Sequence, residues 1–330
     1  MTSKFNNVYI GDAYTIASVY EKDGPIATYF DLLYDKDLYY GCDTFEKAEE
    51  KMLYDSIGKL IDKSKLKNSD IDFVISGDLE NQIAASDYAM SHFDIPFLGI
   101  FSACATFGEG IFIGANLIEG KRGKNIIVST SSHNMVAERQ FRNPTEYGAP
   151  KKKTTTWTST GSASMLLSNK KSKIKITSAT CGVVNDKDIS DVNNMGAVMA
   201  IAAADTIFRH FKDLKINPDY YDLILTGDLG CYGKNILVDY LKTKDIDISK
   251  NYDDCGLILY DIKRQNVFAG ASGPASSALV TCSYILKEMM NGKYKRVLIV
   301  PTGAIFSPTR VFQKNSIPSI AHAFSLEVCE

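Results

Sequence analysis

The chain has one tryptophan and four histidines in 330 residues, and its seven cysteines include no C-x-x-C pair. Each scarcity excludes a class of protein. Without Cys/His spacing suited to zinc, and without H-E-x-x-H, no resident metal is expected, and the lack of a Walker sequence removes a phosphate-cradling loop. The odd cysteine count lacks the dense pattern of a secreted disulfide scaffold, which reads as reduced thiols in a cytoplasmic-type compartment. Long apolar runs are missing too. The longest, Ala197 to Ala204, is far short of the roughly 20 residues that crossing hydrocarbon requires. Met1 to Val19 alternates polar and apolar residues with no signal-peptide core. Any membrane association is therefore expected to be peripheral. A net charge of −2 gives no global field for nucleic acid, which is not expected as a partner.

What is present is ordinary in composition and repetitive in plan. With 45% hydrophobic and 23% charged residues the chain reads as globular, and its length favours two packed halves. Between Thr44 and Lys63, Phe45, Ala48, Met52, Leu53, Ile57, Leu60 and Ile61 recur at three- and four-residue steps, one face of a helix. Asp72-Phe-Val-Ile-Ser-Gly-Asp-Leu79 reads as a buried strand ending in a turn, and Asp222-Leu-Ile-Leu-Thr-Gly-Asp-Leu229 repeats it. A second pair points the same way. Strand Phe97 to Phe101, helix to Glu119, Gly120 and strand Asn125 to Thr130 match strand Val267 to Ala271, helix to Asn291, Gly292 and strand Arg296 to Thr302. Both glycines stand where a helix is expected to stop in a left-handed C′ residue. Apolar strands without alternation are covered on both faces. The expectation is an α/β duplicated fold, layered α/β/α/β/α with two mixed sheets, one half at 1–180 with an inserted loop at 132–158 and the other at 181–330.

Cys104, in Ser102-Ala-Cys-Ala-Thr106, lies between a strand and a helix start, where partial positive charge favours thiolate. It reads either as a nucleophile or as a buried structural thiol. Asp78 and Asp228, in the two Gly-Asp-Leu turns, read as paired carboxylates facing a ligand or as N-caps of the helical stretches they precede. The segment from Ser131 to Arg142 begins at the carboxyl end of a strand, the edge where open α/β sheets hold ligands. Ser132, His133, Asn134, Glu138, Arg139 and Arg142 are its candidate ligand-binding residues. The cations suit a small carboxylate, or the arginines simply pair with Glu138 and Glu146 in a solvated loop. Gly108-Glu-Gly110 with Gly114 imitates a dinucleotide fingerprint, but the third glycine is one place late and all three lie inside the helix, so close packing explains them better. Lys151 to Lys153 reads as a solvated loop tip.

The duplicated unit, the Ala-Cys-Ala elbow and Ser159-Thr-Gly-Ser-Ala-Ser-Met-Leu-Leu167 resemble the thiolase and ketoacyl-synthase superfamily over nearly the whole chain. Within it, Ser131-Ser-His-Asn, Ala137-Glu-Arg-Gln-Phe-Arg, Pro144-Thr-Glu-Tyr-Gly148, Ala202-Ala-Ala-Asp-Thr206 and Asp254-Cys-Gly-Leu257 resemble the stage V sporulation protein AD family of endospore-forming bacteria. The chain departs from the condensing enzymes where they carry basic partners for the cysteine. Gly227-Asp228 stands at the place of the histidine, and Gly273-Pro274-Ala275 at the place of an Asn-Thr turn. The resemblance implies a non-catalytic protein with Cys104 as a vestigial nucleophile. It implies binding of dipicolinic acid, free or as its calcium chelate, and a part in moving it into the forespore and out again at germination. The implied partners are the other stage V sporulation protein A membrane subunits, with a homodimer open. The implied location is the cytoplasm of the sporulating cell, peripheral to the spore inner membrane. No cofactor is expected, and calcium only with the ligand. Phe107, Phe141, Tyr147 and Trp157 are candidate walls for the pyridine ring. An acyltransferase of the ketoacyl-synthase III type, using Cys104, is the alternative.

Overall fold

The computed structural model describes residues 2–141 and 150–329. Ten strands carry the body of the sheet: β1 Tyr9–Ala17, β2 Phe73–Gly77, β3 Phe97–Gly99, β4 Asn125–Ser132, β5 Gly161–Ser168, β6 Ile174–Thr180, β7 Leu223–Thr226, β8 Tyr252–Asp254, β9 Arg296–Val300 and β10 Ala323–Val328. In space the first five run β3-β2-β4-β5-β1 and the second five run β8-β7-β9-β10-β6. The order is the same, and so is the sense of every pairing: the β2 and β7 neighbours are parallel, while β4-β5-β1 and β9-β10-β6 are antiparallel. The duplication expected from two Gly-Asp-Leu turns therefore extends through the whole topology. The two sets join at Tyr9 opposite Lys175. Together with Thr2–Lys4 and Leu32–Leu33 they form one continuous twelve-stranded mixed sheet.

Six helices matter for the site: α1 Phe45–Lys63, α2 Thr106–Glu119, α3 Asn134–Phe141, α4 Met195–Leu214, α5 Gly230–Lys242 and α6 Pro274–Val280. Thr44 caps α1 by accepting from the Lys47 N–H, and the face read from the sequence is the buried one, from Ala48 to Ile61. Helices α2, with eight of its fourteen residues buried, and α6, buried at every residue including Ser276 and Ser277, form the middle layer between the two strand sets. A Cβ added at Gly110 would stand 2.6 Å from Val128 Cγ1, so α2 lies against β4 only because that position is bare. Beyond Val280 the chain continues through a π turn, Thr281–Ile285, into Leu286–Met290. The outer layers are α1 on the first set, with the core around Leu53, Ile57 and Val74, and α4 with α5 on the second. Among the described residues no helix is long and apolar enough to cross a membrane.

Three details differ from the sequence reading. The partner of β3 in the second set is Tyr252–Asp254, not Val267 to Ala271. That segment carries left-handed residues at Phe268 (φ 55°) and Gly270 (φ 124°), and only Ala271–Ser272 pairs, with Trp157–Thr158. Strand β6 takes the place in the second set that β1 takes in the first, so the repeat begins ahead of residue 181. Gly292 is left-handed as expected (φ 82°), whereas Gly120 is not (φ −73°) and Lys121 takes that conformation one residue later (φ 58°).

Candidate functional site

Strand β3 ends at Gly99, and the chain turns through Ala103–Ala105 into α2. The turn is held from both sides. Thr106 Oγ1 donates to the Ala103 carbonyl at 2.6 Å and accepts from the Ser102 N–H at 3.1 Å, while Ser102 Oγ donates to Glu109 at 2.6 Å. Ala103 sits at φ 50°, a left-handed conformation that costs an alanine roughly 1–2 kcal/mol and persists only where the surroundings enforce it. Gly303 supplies part of that enforcement, since a Cβ there would come within 2.2 Å of the Ser102 carbonyl oxygen. The strain presents Cys104, half-buried, to a pocket at the junction of the two halves.

Leu79, Phe101, Ala137, Phe141, Met195, Met199, Ala304 and Phe306 make the apolar wall of that pocket. Cys104, Thr156, Thr158 and Ser272 supply its polar atoms. It holds about 590 Å³ of unfilled space counting its open mouth, of which only about 60 Å³ is wide enough for a water. Phe141 and Phe306 meet with ring centroids 5.8 Å apart. Among the described residues that line it there is no lysine, arginine or histidine.

Asp228 lies behind the cysteine and is wholly buried. The Cys104 thiol, the Ser276 hydroxyl and the Gly273 N–H are its neighbours and ease its ionisation. None of them meets it in hydrogen-bond geometry, and both carboxyl oxygens have no hydrogen-bond partner among the described residues. Burial first, then the charge of Asp254, holds this carboxyl well above the usual carboxylate range. It does not cap α5. Asp254 does that instead, accepting from Leu229 N–H and Gly230 N–H at 3.0 Å each, with Thr226 Oγ1 at 2.7 Å and Gly256 N–H at 3.1 Å. Burial pushes Asp254 up to about 6.

The other aspartate also stands at no helix N-cap, but it satisfies backbone donors after its own turn. Asp78 accepts from the Glu80 and Ser86 N–H groups at 2.8 Å each, and burial pushes its carboxyl up to about 6. Glu80, raised to about 7, and Glu49, raised by burial and by Asp78, lie close by.

Most of the segment from Ser132 onward faces away from the pocket. Ser132 Oγ donates to the Ser159 carbonyl at 2.8 Å. His133 Nδ1 accepts from the Met135 N–H at 3.2 Å, which leaves Nε2–H to donate to the Leu38 carbonyl at 2.8 Å. Burial lowers its pKa to about 4, so the imidazole is neutral. The Asn134 N–H donates to Thr160 Oγ1 at 3.0 Å. Glu138 pairs with Lys151 at 2.9 Å, and Lys151 lies 4.4 Å over the Trp157 ring. Arg139 reaches Glu46 at 2.5 Å. Together these bonds fasten α3 to α1 and to the Trp157 strand, while its other face gives the pocket Ala137 and Phe141. Arg142 and Tyr147 lie outside the described residues. Phe107 is in the core against Phe324, and Trp157 stacks between Tyr20 and Phe268. Of the residues read as site candidates, the structure brings Cys104 and Asp228 together. The sequence reading missed Phe101, Met195, Met199 and Phe306. Phe101 is signalled by its place just before the elbow, but the other three come from distant segments with no motif.

Comparison with known proteins places this geometry in a lineage. A model of the family described as stage V sporulation protein AD matches residues 1–327. Stage V sporulation protein AD of Bacillus subtilis strain 168 is 45% identical over 320 residues, covering 97% of this chain and 94% of that one. Among solved structures, cerulenin-bound OleA of Xanthomonas campestris aligns with a TM-score of 0.64 at 14% identity, over 99% of this chain and 100% of that one. The 3-oxoacyl-[acyl-carrier-protein] synthase III of Aquifex aeolicus aligns with a TM-score of 0.55 at 11% identity, over 97% and 99%. The fold is thiolase-like.

Proposed function

The chain belongs to the stage V sporulation protein AD family, and from that premise we propose that it binds dipicolinic acid at the elbow pocket, takes part in its uptake into the forespore and its release at germination, and performs no acyl transfer. One observation carries the choice of site: the pocket keeps the elbow cysteine and an aromatic wall, with Asp228 near the cysteine and no basic residue among the described residues that line it. A thiol without a base and an oxyanion donor is poorly equipped for condensation. The wall suits a flat heteroaromatic ring. A pyridine between two carboxylates can slide between Phe101, Phe141 and Phe306, with Thr156, Thr158 and Ser272 as hydroxyl partners.

The charge of the wall favours one form of the ligand. A doubly charged anion would enter an apolar site uncompensated, which is costly. The calcium chelate carries no net charge, so the metal arrives with the ligand. Because the space wide enough for water is only about 60 Å³, binding requires the three phenylalanines to part. In this reading the protein works from the cytoplasm of the sporulating cell, peripherally at the spore inner membrane, with the other stage V sporulation protein A subunits. A second copy joins through the free edge of β3, where Leu98 is exposed. Sedimentation at one chain per particle would remove that second copy.

Calorimetry with dipicolinate, with and without calcium, tests the reading. The expected result is saturable heat that is larger for the chelate and reduced in Phe306→Ala. No heat above dilution in either case sinks the proposal. Incubation with acyl-CoA followed by intact mass measurement covers the alternative: stoichiometric acylation of Cys104 would establish an acyltransferase.

A further inference from the structure

We propose that the tip of the hairpin at 302–321 is a contact for an anionic lipid surface, with Phe312 entering the apolar layer and Arg310 and Lys314 meeting the phosphates. The inference rests on the peripheral placement proposed above and names the part of the chain that makes it. Its test does not need dipicolinate.

The hairpin is anchored at its base and open at its tip. Thr302–Ala304 and Ser319–Ala321 form a two-stranded antiparallel sheet of their own, with Thr302 opposite Ala321 and Ala304 opposite Ser319. Asn185 and Ser319 exchange backbone hydrogen bonds at 2.8 Å each, the Ile317 N–H donates to the Ile189 carbonyl at 2.8 Å, and the Ile305 N–H donates to the Pro318 carbonyl at 2.8 Å. Beyond these ties the chain makes one helical turn, Pro308–Phe312, in which no residue is buried. Ser307 Oγ caps it by accepting from the Arg310 N–H at 3.5 Å. Val311 packs on the core of the second half. Phe312, the next residue, turns outward and is 83% exposed, more than any other large apolar side chain among the described residues.

A single exposed apolar side chain needs no explanation by itself. The charges around this one supply a reason for it. From 305 to 318 the chain carries Arg310 and Lys314 and no aspartate or glutamate. Both cations are exposed, and neither side chain has an ion-pair or hydrogen-bond partner among the described residues. The acidic group bonded to the tip is Asp186, which accepts from Ser316 Oγ at 2.7 Å where the chain returns to the base. An aromatic ring between two cations matches the boundary of a bilayer, where the ring sits at the level between headgroups and acyl chains and the cations meet anionic headgroups. The long Arg and Lys stems can lie along that boundary with their charges in the headgroup layer. The net charge of −2 draws the whole chain toward no anionic surface, so attraction has to be local. The same hairpin gives Ala304 and Phe306 to the elbow pocket, which places the contact and the pocket wall on one segment.

Vesicle flotation of the full chain measures the contact. Wild type is expected to float with vesicles of equal parts phosphatidylglycerol and phosphatidylcholine, not with phosphatidylcholine alone, and less as salt is raised. Phe312→Ala should weaken the binding roughly tenfold, and Arg310→Gln combined with Lys314→Gln roughly thirtyfold. Failure of the wild type to float with the anionic vesicles overturns the inference and leaves attachment through membrane subunits standing. Flotation that neither variant weakens also overturns it, because the lipid contact then lies elsewhere on the chain. Absence of dipicolinate heat leaves either result untouched, so this inference and the ligand reading fail separately.

Discussion

His210 gives a prediction whose size can be worked from the structure. Its ring is wholly buried in the second half. Nδ1 is 2.7 Å from Thr180 Oγ1, and Nε2 is 2.7 Å from the Tyr221 hydroxyl. Tyr221 continues to Ser325 at 2.6 Å. Each hydroxyl can give or take a proton, so the neutral ring is satisfied in either tautomer and the charged ring in neither direction gains. Burial lowers the pKa from 6.5 to about 4. A lowered histidine pKa means that the unfolded chain binds more protons between those values, so stability falls as pH falls from 6.5 toward 4 and levels off below. Between pH 7 and pH 5 an unfolded imidazole takes up most of a proton and His210 about a tenth of one. Linkage then gives a loss of about 2 kcal/mol from this residue. The buried carboxyls Asp78, Glu80 and Asp254 act with opposite sign, because a raised carboxyl pKa favours the folded state as pH falls. Wild-type stability alone therefore hides the term, and a variant isolates it. His210→Gln should be less stable than wild type at pH 7 by about 2–4 kcal/mol, through weakened buried hydrogen bonds. At pH 5 the gap should shrink by about 2 kcal/mol. Urea denaturation of both proteins at both pH values reads the difference directly. A gap that is constant within error, or that widens in acid, would refute the reasoning.

Two further substitutions probe the site. Gly303→Ala puts a Cβ within 2.2 Å of the Ser102 carbonyl oxygen and 3.0 Å of the Ala105 nitrogen, backbone atoms that no side-chain rotation can clear. It should cost about 1–3 kcal/mol in denaturation and change the alkylation rate of Cys104; an unchanged elbow and stability would show that the contact relaxes freely. Arg139→Ala breaks an ion pair with Glu46 whose side chains are 45% and 35% exposed, so it should cost at most about 1 kcal/mol and leave dipicolinate affinity unchanged. A lost affinity would move the binding site from the elbow to the far face of α3.

The plan of the fold was legible because both copies repeat the same strand, turn and helix with the same punctuation. Helix α1 was read to within one residue of its start, since its apolar face is regular and Thr44 caps it. The edge strand of the second set was missed for a physical reason. Tyr252–Asp254 is three residues long and ends in two aspartates, and its last residue is chosen for the hydrogen bonds it accepts, not for apolar burial. Val267 to Ala271 carries the apolar character of a strand without a strand's conformation. Cys104 was legible from its place between strand and helix. The pocket around it was not, because Met195, Met199 and Phe306 reach it only through packing of α4 and the chain after Gly303. In the segment from Ser131 to Arg142, where the charges suit a ligand or an ion pair equally, Arg139 is met by Glu46 and Glu138 by Lys151, while Arg142 lies outside the described residues.

The two Gly-Asp-Leu turns show how duplication freed a residue for the site. In the first copy one carboxylate, Asp78, accepts the backbone N–H groups that follow its own turn. In the second copy the backbone N–H groups just after the turn, those of Leu229 and Gly230, donate to Asp254 from the neighbouring strand. Capping needs one carboxylate, and with Asp254 in place the second turn no longer needs Asp228 for it. A wholly buried carboxyl without such partners is unfavourable to the fold. It lies beside the one cysteine that the strained elbow presents to a pocket. Backbone satisfaction explains Asp78 and Asp254, and it does not explain Asp228.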